Sequence, residues 1–472
     1  MSQTLDTATP STDGSAPARI REQIHFTVES GWINDPHGIC WAGGQYHLFF
    51  QYNPTGNVWS PKVHWGHAVS PDLVHWQYTG VALAPRPDEE GCWSGSTIVE
   101  NDQPTIFYTS VLADNWGHGR VALALPDKNL EHWSSQEQDI LIDGAPPELS
   151  AYAFRDPCIF PTADRWTMIV GVGVGGGTGL AVQYKSTDAR HWSYDGVICS
   201  RPGTETDGVW TGTLWECPQL FQVGDDWVLM VSIWENDILH YVATAVGTYD
   251  GTTFVPERWS RLTHDDSAYA MTSFRDNQGR PCVMSWLRES PDHDPQSSRW
   301  ASSLSLPVLV EISPNRTVAL RPHPDVDTLR ESRPTHDGPL DDQHIHISAG
   351  TALDIEITLT LGQHVEISLA DQNGTAATVR ANSEFVVVER RGNADTKVPK
   401  ASEQIRIILD TDLAEIYAGN GSASLRIPAS DATLNIIGSA EHAAVHRLSP
   451  RTPQEAADNK FGPRIAASRV CP

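Results

Sequence analysis

One hydrophobic segment recurs five times in the first two thirds of the chain, at an interval of about 60 residues. The copies are HLFFQYN (47–53), TIFYTSVL (105–112), WTMIVGVG (166–173), WVLMVSIW (227–234) and PCVMSWL (281–287). Their starts lie 58, 61, 61 and 54 residues apart. β-Branched and aromatic residues dominate each copy, and Gly, Pro, Asn or Asp bound it, which is typical of β-strands. A regular interval of this kind indicates a repeat architecture.

A second series of segments repeats with the same interval and ends at Trp76, Trp133, Trp192 and, more loosely, Trp259. A unit of this size with several strands is too large for one turn of a solenoid, and it matches a four-stranded propeller blade. The sequence therefore predicts an all-β chain that begins with a five-bladed β-propeller. An array of β-sandwiches with coincidental spacing is the alternative.

The repeat ends after the segment at 304–312, and the composition then changes. Residues 322–340 are polar, charged and rich in Pro, as a domain connection would be. Alternating runs such as HVEISLA, EFVVVER and QIRIILD come next and predict a C-terminal β-sandwich. The predicted organisation is a disordered tail (1–20), the propeller (21–321), a linker (322–340) and the sandwich (341–472).

The net charge and the number of aromatic residues indicate which kinds of molecule the protein binds. The 472 residues include 33 Lys and Arg against 59 Asp and Glu, and the net charge of −26 disfavours nucleic acid and anionic membrane surfaces. The 17 Trp outnumber the 11 Tyr and the 11 Phe, and the last of them is Trp300. This surplus favours a sugar-stacking surface in the propeller, although packing in an all-β core is the simpler use of the rings.

The cysteines and the N-terminus concern the compartment. The seven Cys form no CxxC pair, so neither a zinc site nor a disulfide framework is indicated, and we expect free thiols with no metal or cofactor. A secretory signal has an apolar stretch after a basic start, and the N-terminal residues show no such pattern. We therefore expect a cytoplasmic protein, monomeric or paired through the sandwich edges.

Polar motifs precede the middle of each hydrophobic segment by about 12 to 14 residues. They carry Asp35 in WINDPHG, Ser94 in CWSGS, Asp156 in FRDP, Glu216 in WECP and Tyr269 in the fifth unit. Equivalent strands of a propeller converge on one channel. We therefore expect Asp35, Asp156 and Glu216 to meet at its mouth, although each Asp-Pro pair alone would indicate only a turn.

Three converging carboxyl groups among Trp side chains predict glycoside cleavage. One carboxyl must be ionised, and another must hold a proton at the working pH. Glu216 has apolar neighbours in the sequence, whereas Asp35 follows Asn34 and Asp156 follows Arg155. On this basis we expect Glu216 to act as the acid and Asp35 as the nucleophile.

Two other motifs carry little weight. GVGVGG (171–176) satisfies GxGxxG, but a strand-like segment comes after it, and no helix N-terminus would face a phosphate. The acidic triplet DHD (292–294) has no further ligands at metal spacing and is interpreted as solvated surface.

The motifs as a set resemble glycoside hydrolase family 32, the β-fructofuranosidases that include invertases, inulinases and levanases. WINDPHG resembles the family's WMNDPNG box, FRDP its RDP motif and WECP its EC motif. FFQYNP, HWGHAVSPDLVHW and CWSGS match further family segments in order, and RIILDTDLAEIYAGNG resembles the signature strand of the family's sandwich. The resemblance extends from about Ile24 almost to the C-terminus.

The resemblance implies a retaining mechanism through a covalent fructosyl intermediate on Asp35. It assigns proton transfer to Glu216 and transition-state stabilisation to Asp156. The fructosyl-binding residues that it implies are Asn34, Gln51, Trp59, Ser94 and Arg155, with Trp93 and Trp286 as weaker candidates. His67 is equally well explained as a packing and hydrogen-bonding residue of its blade. His37 replaces the second Asn of the first box, which leaves the acceptor and chain-length preference on the leaving-group side open.

The predicted activity is hydrolysis of the terminal β-D-fructofuranosyl bond of sucrose and short fructo-oligosaccharides. Fructosyl transfer and cleavage of levan or inulin remain open on the same scaffold. An inverting furanosidase similar to the arabinanase propellers and a sugar-binding propeller without turnover are further alternatives. A cytoplasmic location predicts preference for sucrose over polymers.

Overall fold

The computed structural model describes residues 20–449 except 163–164, 266, 291–293, 296, 342–344, 349–351, 372, 401 and 428–432. The predicted tail at 1–20 lies outside these residues apart from Ile20, and so do Asp292 and His293 of the acidic triplet. The helices of the described part are short 3₁₀ turns, namely Glu137–Asp139, Pro147–Leu149 and Pro324–Leu329. None of them has the length or the apolar character needed to cross a lipid bilayer.

Five antiparallel sheets succeed one another along the chain. The first contains β1 (Gly31–Ala42), β2 (Gln45–Asn53), β3 (His64–Ser70) and β4 (Gln77–Leu83). The second contains β5 (Gly91–Glu100), β6 (Gln103–Val111), β7 (Arg120–Pro126), β8 (Trp133–Ser134) and β9 (Ile140–Ile142). The third contains β10 (Ala151–Thr162), β11 (Arg165–Val174), β12 (Thr178–Ser186) and β13 (Ser193–Pro202). The fourth contains β14 (Leu214–Val223), β15 (Asp226–Glu235), β16 (Ile238–Tyr249) and β17 (Phe254–Arg261).

The fifth sheet completes the ring. It begins with β18 (Ala268–Arg275) and β19 (Pro281–Leu287), and β20 (Trp300–Ala301) leaves it to pair in parallel with β1. The remaining strands of the sheet are β21 (Ser303–Leu304), β22 (Val308–Ile312) and β23 (Val318–Pro322). The predicted five-bladed propeller is confirmed, and the five repeated segments are the second strands β2, β6, β11, β15 and β19.

Hydrophobic clusters between neighbouring blades hold the ring together. Phe107 of β6, for example, belongs to the same cluster as Phe154 of β10 and Met168 of β11. All three side chains are fully buried. Strands that are apolar on both faces, as the repeated segments are, suit this position because each blade is covered by another on either side.

The C-terminal strands form one sheet that folds over its own core. They are β24 (His336–Asp341), β25 (Ile345–Ser348), β26 (Ala352–Thr358), β27 (His364–Asp371), β28 (Gly374–Ala381), β29 (Phe385–Arg390), β30 (Thr396–Pro399), β31 (Gln404–Asp410), β32 (Leu413–Tyr417), β33 (Ser422–Arg426) and β34 (Thr433–Leu448). β34 has 16 residues and pairs with β27 on one side and β26 on the other, so it passes between the two halves. One buried cluster includes Ile367 and Val386 of one half with Ile407 and Leu425 of the other. The predicted sandwich is confirmed, with its halves joined through β34.

The connection between propeller and sandwich is shorter than expected. β23 ends at Pro322, and β24 already begins at His336, inside the range assigned to the linker. The assigned linker thus includes the last residue of β23 and most of β24. The domain limits at 321 and 341 remain a prediction.

Candidate active site

A cavity of about 700 Å³ lies where the first strands of the blades converge. Nine of the ten candidate residues line it: Asn34, Asp35, Gln51, Trp59, Trp93, Arg155, Asp156, Glu216 and Trp286. The tenth, Ser94, is buried and contacts Asp35. The volume of the cavity lies in the range of sites for small molecules.

Three blades supply the carboxyl groups. Asp35 lies on β1, Asp156 on β10 and Glu216 on β14, all of which are first strands. Each of these strands has an irregular register at this point, between Ile33 and Pro36 in β1, for example. A bulge re-aims the side chains of the strand that carries it, and here it directs the motif residues into the cavity.

Hydrogen bonds connect the two aspartates to their neighbours. The Ser94 hydroxyl donates to Oδ2 of Asp35 at 2.6 Å, and the Cys217 backbone N–H donates to Oδ2 of Asp156 at 2.8 Å. The Cys217 thiol lies 3.8 Å from Oδ2 of Asp35. Asp156 and Cys217 both have positive φ, 65° and 46°. Such strained residues often mark functional sites in proteins, because the surrounding structure must hold them in place.

Burial raises the pKa of all three carboxyl groups. The pKa of Asp156 rises to about 7 because the group is buried and, secondly, because Glu216 is close. Burial also raises the pKa of Asp35 and Glu216, while hydrogen bonds from Ser94 and Asn34 to Asp35 act in the opposite direction. The cluster therefore retains a proton at higher pH than ordinary carboxyl groups, as acid catalysis requires.

The expectation of an apolar setting for Glu216 is wrong. The Arg155 guanidinium donates to its Oε1 at 3.0 Å, and the Tyr269 hydroxyl donates to its Oε2 at 2.8 Å. The Arg155 charge also acts on its neighbour Asp156, as expected from the sequence, and opposes the rise in the pKa of that carboxyl group. β10 is irregular at this point, so Arg155 and Asp156 both line the cavity, and Arg155 reaches Glu216 of the next blade.

The polar candidates form a chain beside Asp35. The Asn34 amide donates to Oδ1 of Asp35 and to Oε1 of Gln51, both at 3.0 Å. The Gln51 amide donates in turn to the Ser94 hydroxyl. Each group is thus fixed by its neighbour before any substrate binds, which is the preorganisation that a binding site needs.

The candidate tryptophans occupy two depths. Trp59 is 45% exposed and lies at the mouth, whereas Trp93 and Trp286 are buried in the wall. The Arg155 guanidinium lies 5.3 Å from the centre of the Trp93 ring. Trp286 packs edge-on against Trp32 with 5.7 Å between ring centres. A wall of rings and a floor of polar groups suit the two faces of a sugar.

The two histidines lie away from this cavity. His67 is buried in its blade, with Nε2 at 2.9 Å from Nδ1 of His47 and Nδ1 at 2.8 Å from the Thr79 hydroxyl, which confirms the packing interpretation. His37 packs against Trp65 in a tilted arrangement, with 3.7 Å between ring centres, and borders a much smaller cavity that Ser94 and Asp156 also line. His37 lies outside the lining of the 700 Å³ cavity, and its effect on the leaving-group side stays open.

Several lining residues were missed in the sequence. They are Trp32, Trp116, Tyr152, Leu214, Trp234, Asp237, Leu239 and Tyr269, with Gly117. Trp32 in WINDPHG, Trp234 at the end of the fourth repeated segment and Tyr269 in the fifth unit were in phase with the repeat, but they were not predicted as site residues. Trp116 and Tyr152, which are 43% and 40% exposed, lie outside the phased motifs, and the surplus of Trp was the one signal that could have pointed to Trp116.

One group of potential metal ligands lies elsewhere among the described residues. Asp276, Cys282 and His323 approach one another in the fifth blade. Asp276 already accepts hydrogen bonds from Arg280, and its Oδ2 lies 3.1 Å from Nε2 of His323. These contacts satisfy the carboxylate, so the cluster is explained without an ion.

A five-bladed propeller that brings three carboxyl groups together in a ring-lined cavity has the fold and the chemical groups of a glycoside hydrolase. Residues 25–324 match the model of the glycosyl hydrolases family 32 N-terminal domain. The chain belongs to glycosyl hydrolase family 32, and it is a glycoside hydrolase.

Relatives and solved structures agree with this assignment. The chain is 28% identical over 434 residues to a sucrose-6-phosphate hydrolase of Escherichia coli, a match that covers 85% of this chain and 87% of the relative. It is 33% identical over 348 residues to a fructan 6-exohydrolase of Beta vulgaris, which covers 66% of this chain and 56% of that protein. A GH32 β-fructofuranosidase of Bombyx mori in complex with sucrose has the same fold, with a TM-score of 0.79, 24% identity and coverage of 92% and 94%.

Proposed function

We propose that this glycoside hydrolase is a retaining β-fructofuranosidase that cleaves the terminal β-D-fructofuranosyl bond of sucrose and short fructo-oligosaccharides. The observation that best supports this proposal is that Asp35, Asp156 and Glu216 lie together in one cavity lined by aromatic side chains. The names of the relatives, which include sucrose-6-phosphate hydrolases and a fructan exohydrolase, support a fructoside as the substrate.

In the proposed first step, an Asp35 carboxylate oxygen attacks the anomeric carbon of the fructosyl unit. Glu216 gives its proton to the leaving glycosidic oxygen as that bond breaks, so the second sugar departs neutral. The donors Ser94 and Asn34 hold Asp35 and favour its ionised form. Burial keeps Glu216 protonated to higher pH, which suits its role as the acid.

In the second step, ionised Glu216 takes a proton from water, and the water oxygen attacks the same carbon. The bond to Asp35 breaks, and the carboxylate is restored. Asp156 is proposed to accept hydrogen bonds from fructosyl hydroxyls as positive charge develops on the ring. Its position beside Glu216 and its contact with Cys217 support this role.

The stereochemistry of transfer tests the proposal. Sucrose is cleaved in a methanol–water mixture, and the anomer of the methyl fructofuranoside is identified by NMR. We expect the β-anomer, since two inversions restore the configuration. The α-anomer would instead establish the inverting alternative. Fructo-oligosaccharides that accumulate at high sucrose would show that transfer competes with hydrolysis.

Variants test the residue roles in the same assay. Asp35→Asn is expected to abolish turnover, and Glu216→Gln to lower kcat by about 10² to 10⁴. The matched control is Asp225→Asn, an exposed carboxyl in a turn of the fourth blade, which should keep wild-type kcat. Wild-type turnover in Asp35→Asn would contradict the assignment of the nucleophile.

We also propose that the enzyme works in the cytoplasm. Six cysteines of the described chain are free thiols, which is usual in a reducing compartment. Activity on sucrose should then exceed activity on levan or inulin, since polymers do not reach that compartment. Faster cleavage of the polymers would argue against this location.

A further inference from the structure

The charges that line the cavity are unbalanced. Its carboxyl groups belong to Asp35, Asp156, Glu216 and Asp237, and its cation is Arg155. No Lys or His is found among the described lining residues. The chain as a whole adds a net charge of −26 to this local excess of carboxyl groups.

The single guanidinium is already engaged inside the site. Arg155 donates to Oε1 of Glu216 at 3.0 Å, and its side chain is only 13% exposed. The guanidinium is therefore engaged by Glu216 and is not a free binding group for a phosphate. Arg299 lines a separate groove with Ser30 and Asn57.

Asp237 adds a negative charge at the mouth. It occupies the turn between β15 and β16, where its φ is 61°, and it is exposed. No described cation forms an ion pair with it. A phosphate that entered beside this carboxylate would carry between about −1.5 and −2 charges at neutral pH.

We infer that this cavity selects uncharged fructosides and rejects their phosphate esters, with Asp237 as a specificity-determining residue at the entrance. The inference rests on the proposed function and goes beyond it, because relatives named as sucrose-6-phosphate hydrolases leave open whether the disaccharide is phosphorylated. Proteins bind phosphate through Arg, Lys or helix N-termini, and the described lining of this cavity offers none of these free. Its rings and hydrogen-bonding groups need no charge on the sugar.

The test compares sucrose with sucrose 6-phosphate on the full chain at low ionic strength. We expect kcat/KM for sucrose to be higher by at least about 100-fold, since like charges in a binding site are strongly unfavourable. Added salt should narrow the ratio, because the exposed carboxylate is screened. Equal or faster turnover of the phosphate ester would overturn the inference.

Two lysine variants test whether Asp237 causes the preference for sucrose over sucrose 6-phosphate. Asp237→Lys should lower the ratio by about tenfold relative to wild type, because it replaces repulsion by attraction at the entrance. Asp225→Lys makes the same change of charge at the other end of β15, about 33 Å away along a ten-residue strand, and should leave the ratio within about twofold. Equal ratios in the two variants would remove Asp237 from the explanation.

Calorimetry separates this inference from the proposed function. Sucrose and sucrose 6-phosphate are titrated into Asp35→Asn, which lacks one negative charge and so biases the comparison toward the phosphate. Tighter binding of sucrose without cleavage of either sugar by the wild type would overturn the proposed function and uphold the selectivity. Cleavage of sucrose by the wild type together with equal binding of both sugars would uphold the proposed function and overturn the selectivity.

Discussion

At the scale of single residues, the buried carboxyl group of Asp156 lowers the stability of the fold. Its carboxyl group is 5% exposed, lies near Glu216 and has a pKa of about 7, against an ordinary value of 3.8. The folded chain therefore binds this proton more tightly than the unfolded chain does. A carboxyl group kept in this position lowers stability whenever it is ionised, and such costs are common where function requires a strained site.

The stability of Asp156→Asn should reveal that cost. In wild type, Asp156 contributes a decrease in the free energy of unfolding as pH rises from about 4 to about 7, because the unfolded chain releases this proton first. The amide cannot ionise, and it still offers an oxygen to the Cys217 N–H. At pH 8 we expect the variant to be more stable by on the order of 2 to 4 kcal/mol, and the gain to vanish near pH 4.

Urea unfolding at pH 4, 6 and 8 measures this difference, and loss of sucrose cleavage should accompany the gain. Asp225→Asn is the control, since its exposed carboxyl should change stability by less than about 0.5 kcal/mol. A variant no more stable than wild type at pH 8 would show that burial of Asp156 costs the fold nothing.

At the scale of elements, the second series of repeats has a physical cause in the turns that lead to the outer strands. Asp72 lies in the turn between β3 and β4, and its Oδ1 accepts from the backbone N–H of His75 at 3.1 Å. Asp127, Asp188 and Asp250 accept backbone N–H groups in the corresponding turns of the next three blades. An Asp in this position closes the turn with its own side chain, so the sequence repeats it.

Replacing Asp72 should test this role, because it is the buried member of the set. Its carboxylate also lies 3.0 Å from Nδ1 of His75. Asp72→Ala leaves several buried donors without an acceptor and should lower the free energy of unfolding by about 2 kcal/mol. Asp72→Asn keeps an acceptor oxygen and should lose less than half as much.

Thermal unfolding measured by circular dichroism compares both variants. Asp127→Ala, in the equivalent but exposed turn, should cost less than Asp72→Ala, because water can replace the lost acceptor. Equal losses in Asp72→Ala and Asp72→Asn would mean that the negative charge of Asp72, and not its acceptor oxygen in the turn, accounts for the effect.

At the scale of the whole molecule, the features that follow a sequence period could be predicted, namely the blades from the repeat and the sandwich from its alternating runs, and contacts made by the loops could not. The five blades and the meeting of Asp35, Asp156 and Glu216 came from their common phase. Trp116 and Asp237 lie in loops and turns, whose contacts no periodicity encodes. The contact of Arg155 with Glu216 joins two blades and residues that are distant in the sequence, so the immediate neighbours of Glu216 gave no sign of it. The joining of the two sandwich halves by β34 depends on pairing between distant strands.

The N-terminal segment ties the sandwich to the strand that carries Asp35. His25 lies between two buried carboxylates of the sandwich, with Nδ1 at 2.9 Å from Oδ2 of Asp410 and Nε2 at 3.1 Å from Oε2 of Glu415. Asp410 also accepts the backbone N–H groups of Gln23 and Ile24. Burial alone would lower the pKa of His25, but the two carboxylates outweigh it and raise the pKa to about 10.

Removing this cation should loosen the whole molecule. His25→Ala leaves Asp410 and Glu415 buried without a partner, which should cost about 3 to 5 kcal/mol at pH 6. Because the folded-state pKa is raised, the contribution of His25 is complete below about pH 6.5 and is lost as pH rises through about 10. The difference between wild type and variant in urea unfolding should therefore be larger at pH 6 than at pH 9.5.

The control is His191→Ala, which removes an exposed histidine that lies 2.7 Å from Asp188. It should change the stability little at either pH. If His25→Ala matched the stability of wild type at pH 6, the two domains would be held together by their apolar contacts, and the buried ion pairs would add nothing.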